Sequence, residues 1–140
     1  MKPRKPALTT PAVLLRRKCQ KIASHHRAAA RKAGVTLGYN AEDLRLYAEA
    51  HRTCAYCGLP VALDFQFDHI VPLARGGRHA IGNLCCCCSR CNQLKGALTS
   101  LEYQALRSFL AGLHPTASED LCRRLLCGGS GYARNRRRKS

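Results

Sequence analysis

Acidic residues are scarce in this chain of 140. Eight Asp and Glu stand against 24 Lys and Arg, a formal net charge of +16, with an isoelectric point near 10. Like charge at this density repels itself and weakens a small fold, so the excess points outward, to a polyanion. Also missing is any apolar run approaching the ~20 residues that span a bilayer, and no segment joins a basic helical face to a broad apolar one. A membrane partner is therefore disfavoured against a nucleic acid. The start, Met-Lys-Pro-Arg-Lys-Pro, has no apolar core of an export signal. The ten cysteines are thus expected in a reducing, cytoplasmic compartment, as thiols or metal ligands and not as disulfides. No base-reading helix is evident, so low sequence specificity is the expectation.

The length allows one compact domain with tails. The expected division is a basic helical arm over 1–35, a core over 36–113, and a short helix with a basic, disordered tail over 114–140. In the arm, Thr10 is a hydroxyl cap, Pro11 sits in the first turn, and Gly34 is a left-handed stop. Val13, Leu14, Leu15 and Ile22 are too few for a wide apolar stripe. The arm therefore reads as a solvated helix, or as a segment that becomes ordered along phosphates. A second helix starts from the Asn40 cap and runs to about His51, with Leu44, Tyr47 and Ala48 inward. Val61 to Phe67 alternates as a strand, and Ile70, Val71 and Leu73 form a second short one ending at Gly76-Gly77. Further on, Thr99 with Glu102 caps a helix whose core face would be Leu101, Leu106, Phe109, Leu110 and Leu113. A last helix, from about Ser118 to Cys127, carries Leu121, Leu125 and Leu126 and should stop at Gly128-Gly129.

The cysteines carry the sharper signal. Cys54-Ala55-Tyr56-Cys57-Gly58 is a tight turn whose two sulfurs can converge on one ion, and Cys88-Ser89-Arg90-Cys91 is a second. Tetrahedral zinc needs four ligands, and two such turns supply them. Cys85 with Cys88 is also a CxxC. The Cys88 and Cys91 pair is preferred because it leads directly into a helix containing Asn92 and Lys95. That leaves Cys85, Cys86 and Cys87 as small apolar residues in a core.

With those residues in place, the stretch Cys54-x-x-Cys57, Phe67-Asp68-His69-Ile70-Val71-Pro72-Leu73-x-x-Gly76-Gly77, Asn83-Leu84, Cys88-x-x-Cys91-Asn92-x-x-Lys95-Gly96 resembles the HNH endonuclease family, the zinc-framed branch of the ββα-metal nucleases. The resemblance spans about residues 40 to 112, with Asn92 where the family name has its last histidine. It implies an α+β fold with a small ββα-metal core, a structural zinc ion on Cys54, Cys57, Cys88 and Cys91, and flanking helices and basic tails. It also implies that Asp68 and Asn92 hold one divalent ion, Mg²⁺ or another, against the scissile phosphate. Asn83 would fix the hairpin against the helix or orient His69.

Chemistry supports the same assignment. Phosphodiester hydrolysis needs an activated water and neutralised charge in the transition state. An imidazole with an unperturbed pKa of ~6.5 can accept the water's proton near neutral pH, and that role falls to His69. Asp68, its neighbour on an extended segment, points to the opposite face of a regular strand, so both meet one phosphate only across a local bend. Arg75 and Lys95 would contact the backbone of the nucleic acid, as would Arg136, Arg137 and Arg138 of the tail. His25, His26, His51, His79 and His114 lack a partner at ligand spacing and are expected to be exposed. The expected activity is metal-dependent cleavage of double-stranded DNA. The alternative is a non-catalytic zinc module that only binds nucleic acid.

Overall fold

The computed structural model describes the backbone of residues 9–138 and the side chains of residues 9–127. It is α+β, with α1 (Pro11–Lys32), α2 (Ala41–Ala50), β1 (Gln66–His69), β2 (Leu84–Cys87), α3 (Ser89–Lys95), α4 (Ser100–Ala111) and α5 (Pro115–Arg138).

Local chemistry sets the helix starts. Thr10 Oγ1 accepts from the Val13 amide with Pro11 in the first turn, and Gly34 follows α1 at φ +73°. Asn40 with Asp43, and Thr99 with Glu102, form reciprocal capping boxes for α2 and α4, each joining two otherwise unpaired backbone donors to side chains.

The arm is solvated on one side only. Leu15, Cys19, Ala23 and Ala30 of α1 are buried, and the first three belong to one core with Leu44 and Ala48 of α2. Cysteine and alanine complete the inward stripe, and small side chains let the two helices approach closely. Lys18 turns inward as well. Its Nζ donates to the carbonyls of Leu63 (2.5 Å) and Phe65 and lies 4.1 Å from the centre of the Phe65 ring.

β1 pairs antiparallel with β2, with His69 opposite Leu84 and Asp68 opposite Cys85. The second strand is therefore the cysteine run and not Ile70 to Leu73. Pro72 precedes a single 3-10 turn at Leu73–Arg75, and all four residues of β2 are buried. Cys85, Cys86 and Cys87 are core thiols, as expected.

α4 is rotated from the expected phase. Tyr103 and Leu110 are buried, whereas Leu101 is 77% and Phe109 59% exposed. The Tyr103 ring packs edge-on against Tyr56, 5.0 Å between centroids, and this contact fixes which face turns inward. α5 is longer than expected. It starts at Pro115 and passes through Gly128-Gly129 to Arg138, with Cys122 buried. Those glycines remain in the helix, costing about 1 kcal/mol each relative to alanine, so the helix continues where a left-handed stop and a disordered tail were expected. The side chains of Arg136, Arg137 and Arg138 lie outside the described residues.

Candidate active site

The sulfurs of Cys54, Cys57, Cys88 and Cys91 all lie within 4.8 Å of one another. The first turn is tied down by Cys54 N–H donating to Leu59 O (2.8 Å) and by Ala55 N–H donating to Cys86 O (2.9 Å) on β2. In the second, Cys88 caps α3, its sulfur accepting from the Cys91 amide at 3.4 Å. Burial opposes charge on Cys54, yet the amides of Cys57, Cys88 and Tyr56 bring its thiol down to about 6. Burial pushes Cys91 up to about 12. Four sulfurs so close cannot all ionise without a cation among them, and a tetrahedral zinc ion meets that need. Cys85 is not one of the four. Its thiol donates to the Tyr56 hydroxyl at 3.4 Å.

β1 leaves this frame toward α3, and it is regular, so Asp68 and His69 face opposite ways. Asp68 is buried. Its Oδ2 accepts from the Tyr56 hydroxyl at 2.5 Å and lies 3.1 Å from Lys95 Nζ, while Oδ1 is 3.3 Å from the same ammonium. Lys95 also donates to the His69 carbonyl at 2.9 Å, and Ser100 Oγ lies 2.7 Å from the Tyr56 hydroxyl.

Lys95 is 1% exposed, which overturns the expectation that it contacts phosphate. Arg75 is also engaged, forming a two-pronged pair with Glu102 and donating to Ala97 O. Asn92 stands three residues before Lys95 on α3 and is half-buried, on the same face by helical spacing. Both carboxylate oxygens of Asp68 face the Lys95 ammonium, which supplies positive charge where the resemblance would put a divalent ion.

Asn83 acts on the loop. Its Oδ1 accepts from Val71 N–H (2.9 Å), and its Nδ2 donates to Val71 O and Arg78 O, both 3.0 Å. Gly77 makes this possible, since a Cβ there would sit 1.9 Å from Val71 O. The staple holds the segment just after His69 and makes no hydrogen bond to the ring. Arg78, in the same loop, is exposed and in no ion pair among the described residues.

His69 is half-buried, and its Nε2 is buried without a hydrogen-bond partner. Burial, reinforced by His26, pulls the ring from its ordinary 6.5 down to about 4, against an upward pull from Asp68. The ring is therefore neutral at pH 7 with a free nitrogen. It faces α1, where the His26 ring lies 5.4 Å away, centroid to centroid. His79 Nδ1 is likewise buried and unpartnered. His26 and His79 are half-buried, not exposed, and His51 is exposed but stacked on Tyr47 at 3.9 Å. Tyr56, Tyr39 and His26 were missed by sequence reasoning. The one sequence signal for Tyr56 is its place inside the first CxxC turn.

A two-stranded antiparallel sheet running into a helix, clamped by four convergent thiols, defines the zinc-framed ββα class. Residues 54–98, about a third of the chain, match the family model described as HNH endonuclease. No curated protein matches the sequence. Among the described residues no helix is long and apolar enough to cross a membrane.

Proposed function

We propose that the chain is an endonuclease that hydrolyses phosphodiester bonds of double-stranded DNA, with His69 as the general base. The observation that carries this is the unpartnered Nε2 of His69. Buried polar atoms in a folded protein are overwhelmingly paired, so this nitrogen is open to a partner that the chain itself does not supply. A neutral imidazole on a strand braced by the cysteine frame and the Asn83 staple can take a proton from a water brought to its unpartnered nitrogen by the substrate.

Asp68 has a supporting part. With Tyr56 and Lys95 it locks β1 to α3, and Lys95 holds the His69 carbonyl, so the base is oriented through its own backbone. Charge on the phosphate falls to exposed cations, Arg78 beside the staple and those of α1. Cys54, Cys57, Cys88 and Cys91 would hold a zinc ion, which would keep the frame rigid.

The test is a supercoiled plasmid incubated with the full chain, with and without Mg²⁺. Nicked or linear product that disappears in His69→Ala, with DNA binding retained, supports the assignment. Equal cleavage by the variant removes His69 from the chemistry. The closure of Asp68 by Lys95 favours one second reading, a zinc-held module that binds nucleic acid without cutting it. Tight binding with no nicking by the intact chain in Mg²⁺, Mn²⁺ or Zn²⁺ would identify it.

A further inference from the structure

Helix α1 lies outside the segment that matches the HNH family, yet it reaches the candidate base. His26 Nδ1 is 2.6 Å from the hydroxyl of Tyr39, whose residue is 6% exposed and whose ring stands edge-on to the imidazole at 5.9 Å. An imidazole nitrogen is the better acceptor of the two and a phenol the better donor, so Tyr39 donates and the His26 hydrogen resides on Nε2. Burial agrees. It raises Tyr39 to about 12 and lowers His26 below its usual range, leaving the phenol protonated and the imidazole neutral.

Among the described residues no hydrogen bond occupies His26 Nε2. The residue lines a groove of about 210 Å³ between α1 and β1, whose other walls are Lys21, Ile22, His25, Gln66 and Phe67. His69 is not one of its walls, but Phe67, two residues earlier, shares its face of β1, and the His26 ring lies 5.4 Å from that of His69. α1 is packed into the core through Leu15, Cys19 and Ala23, which makes His26 a fixed neighbour of His69 and not a passing one.

We propose that α1 supplies a second imidazole to the site: His26, oriented by Tyr39, donates its Nε2 hydrogen to a non-bridging oxygen of the phosphodiester presented to His69, while Lys21 and His25 hold the same backbone along the groove. This rests on the nuclease reading for its catalytic consequence, but the contact itself is with phosphate and exists whether or not the bond is cut.

Two measurements keep those apart. In long-range ¹H–¹⁵N spectra of the full zinc-loaded chain, His26 should be the Nε2–H tautomer, and Tyr39→Phe should disturb it while preserving the ring in its slot. Adding a short DNA duplex to His69→Ala, which cannot turn it over, should shift the His26 Nε2 signal. In plasmid cleavage, His26→Ala should lower kcat about 10- to 100-fold, the value of one hydrogen bond to a charged group, with KM little changed. His26→Gln, whose amide can donate over a similar reach, should recover most of the loss.

A histidine that merely packs would move stability without this split in kcat and KM or this rescue. An Nδ1–H tautomer, an unmoved His26 signal on duplex addition, or wild-type cleavage by a folded His26→Ala would each overturn the proposal. A chain that cuts nothing yet shows the duplex shift would sink the nuclease reading and uphold the phosphate contact.

Discussion

Asp68 and Lys95 are opposite charges in a nearly dry place, and their energetics decide what the site can do. Removing ions from water is costly, and the pair is tolerated because Tyr56, Lys95 and the His69 carbonyl satisfy one another at 2.5–3.3 Å. Deleting one partner strands the other, which typically costs about 3–5 kcal/mol. Lys95→Ala should therefore lose stability on that scale in urea unfolding, and adding Asp68→Asn should restore part of it. An unchanged midpoint in the single variant would show that the pair contributes nothing.

His69 makes a prediction in pH. Its ring stays neutral down to about 4 in the folded chain but protonates near 6.5 when unfolded, so between those values the unfolded state binds more protons. Stability that is complete above pH 6.5 should fall as pH drops toward 4, and it should fall less steeply in His69→Ala. The acid limb of kcat/KM should lie nearer pH 4 than 6.5. A wild-type profile breaking at 6.5 would mean the base is more exposed than its buried nitrogen implies.

The elements depend on a core that is small and crowded with thiols. β1 and β2 each have four residues, too little sheet to stand alone in water, and the cysteine turns clamp their ends. Cys54→Ser should lose zinc and unfold, because in domains of this kind metal binding is folding free energy. Zinc content and circular dichroism of the variant would check it, and a folded, metal-free Cys54→Ser would contradict it.

The same elements show how much could be read in advance. Capping at Thr10, Asn40 and Thr99 is chemistry within three residues, and the convergence of the four cysteines follows from their spacing, so both were legible. The pairing of β1 with Leu84–Cys87 was not. A strand buried on both faces has no alternation to betray it, and Val71-Pro72 resembled a strand only until the loop's own turn took over. Nor were the partners of Asp68 legible. Tyr56 lies 12 residues before it and Lys95 27 after, and only the closed frame brings them together. α1 hid its inward stripe behind alanine and cysteine.

At the scale of the whole molecule the question is where the +16 charge meets its partner. Arg75, Lys18 and Lys95 are spent inside the protein or on Glu102, so the cations left to a polyanion are elsewhere. Arg17, Lys21 and Lys32 of α1 are exposed, and at spacings of four and eleven they lie on one helical face, of which Lys21 lines the groove beside His26. Each lysine or arginine that neutralises a phosphate releases a counterion, and the slope of log affinity against log salt changes by about 0.9 per contact on duplex DNA. Replacing Arg17, Lys21 and Lys32 with glutamine should flatten that slope by about two to three units, with the folded state intact because none of the three is buried. Replacing Arg136, Arg137 and Arg138 likewise should lower affinity without altering kcat, since a sequence-independent hold on phosphate positions the duplex but performs no chemistry. The α1 variant should lower both, because Lys21 lines the groove in which the reacting phosphate is proposed to lie. If the α1 slope were unchanged while the tail variant lost its salt dependence, the duplex would be entering from the α5 side, and the catalytic face would have to be sought away from His26.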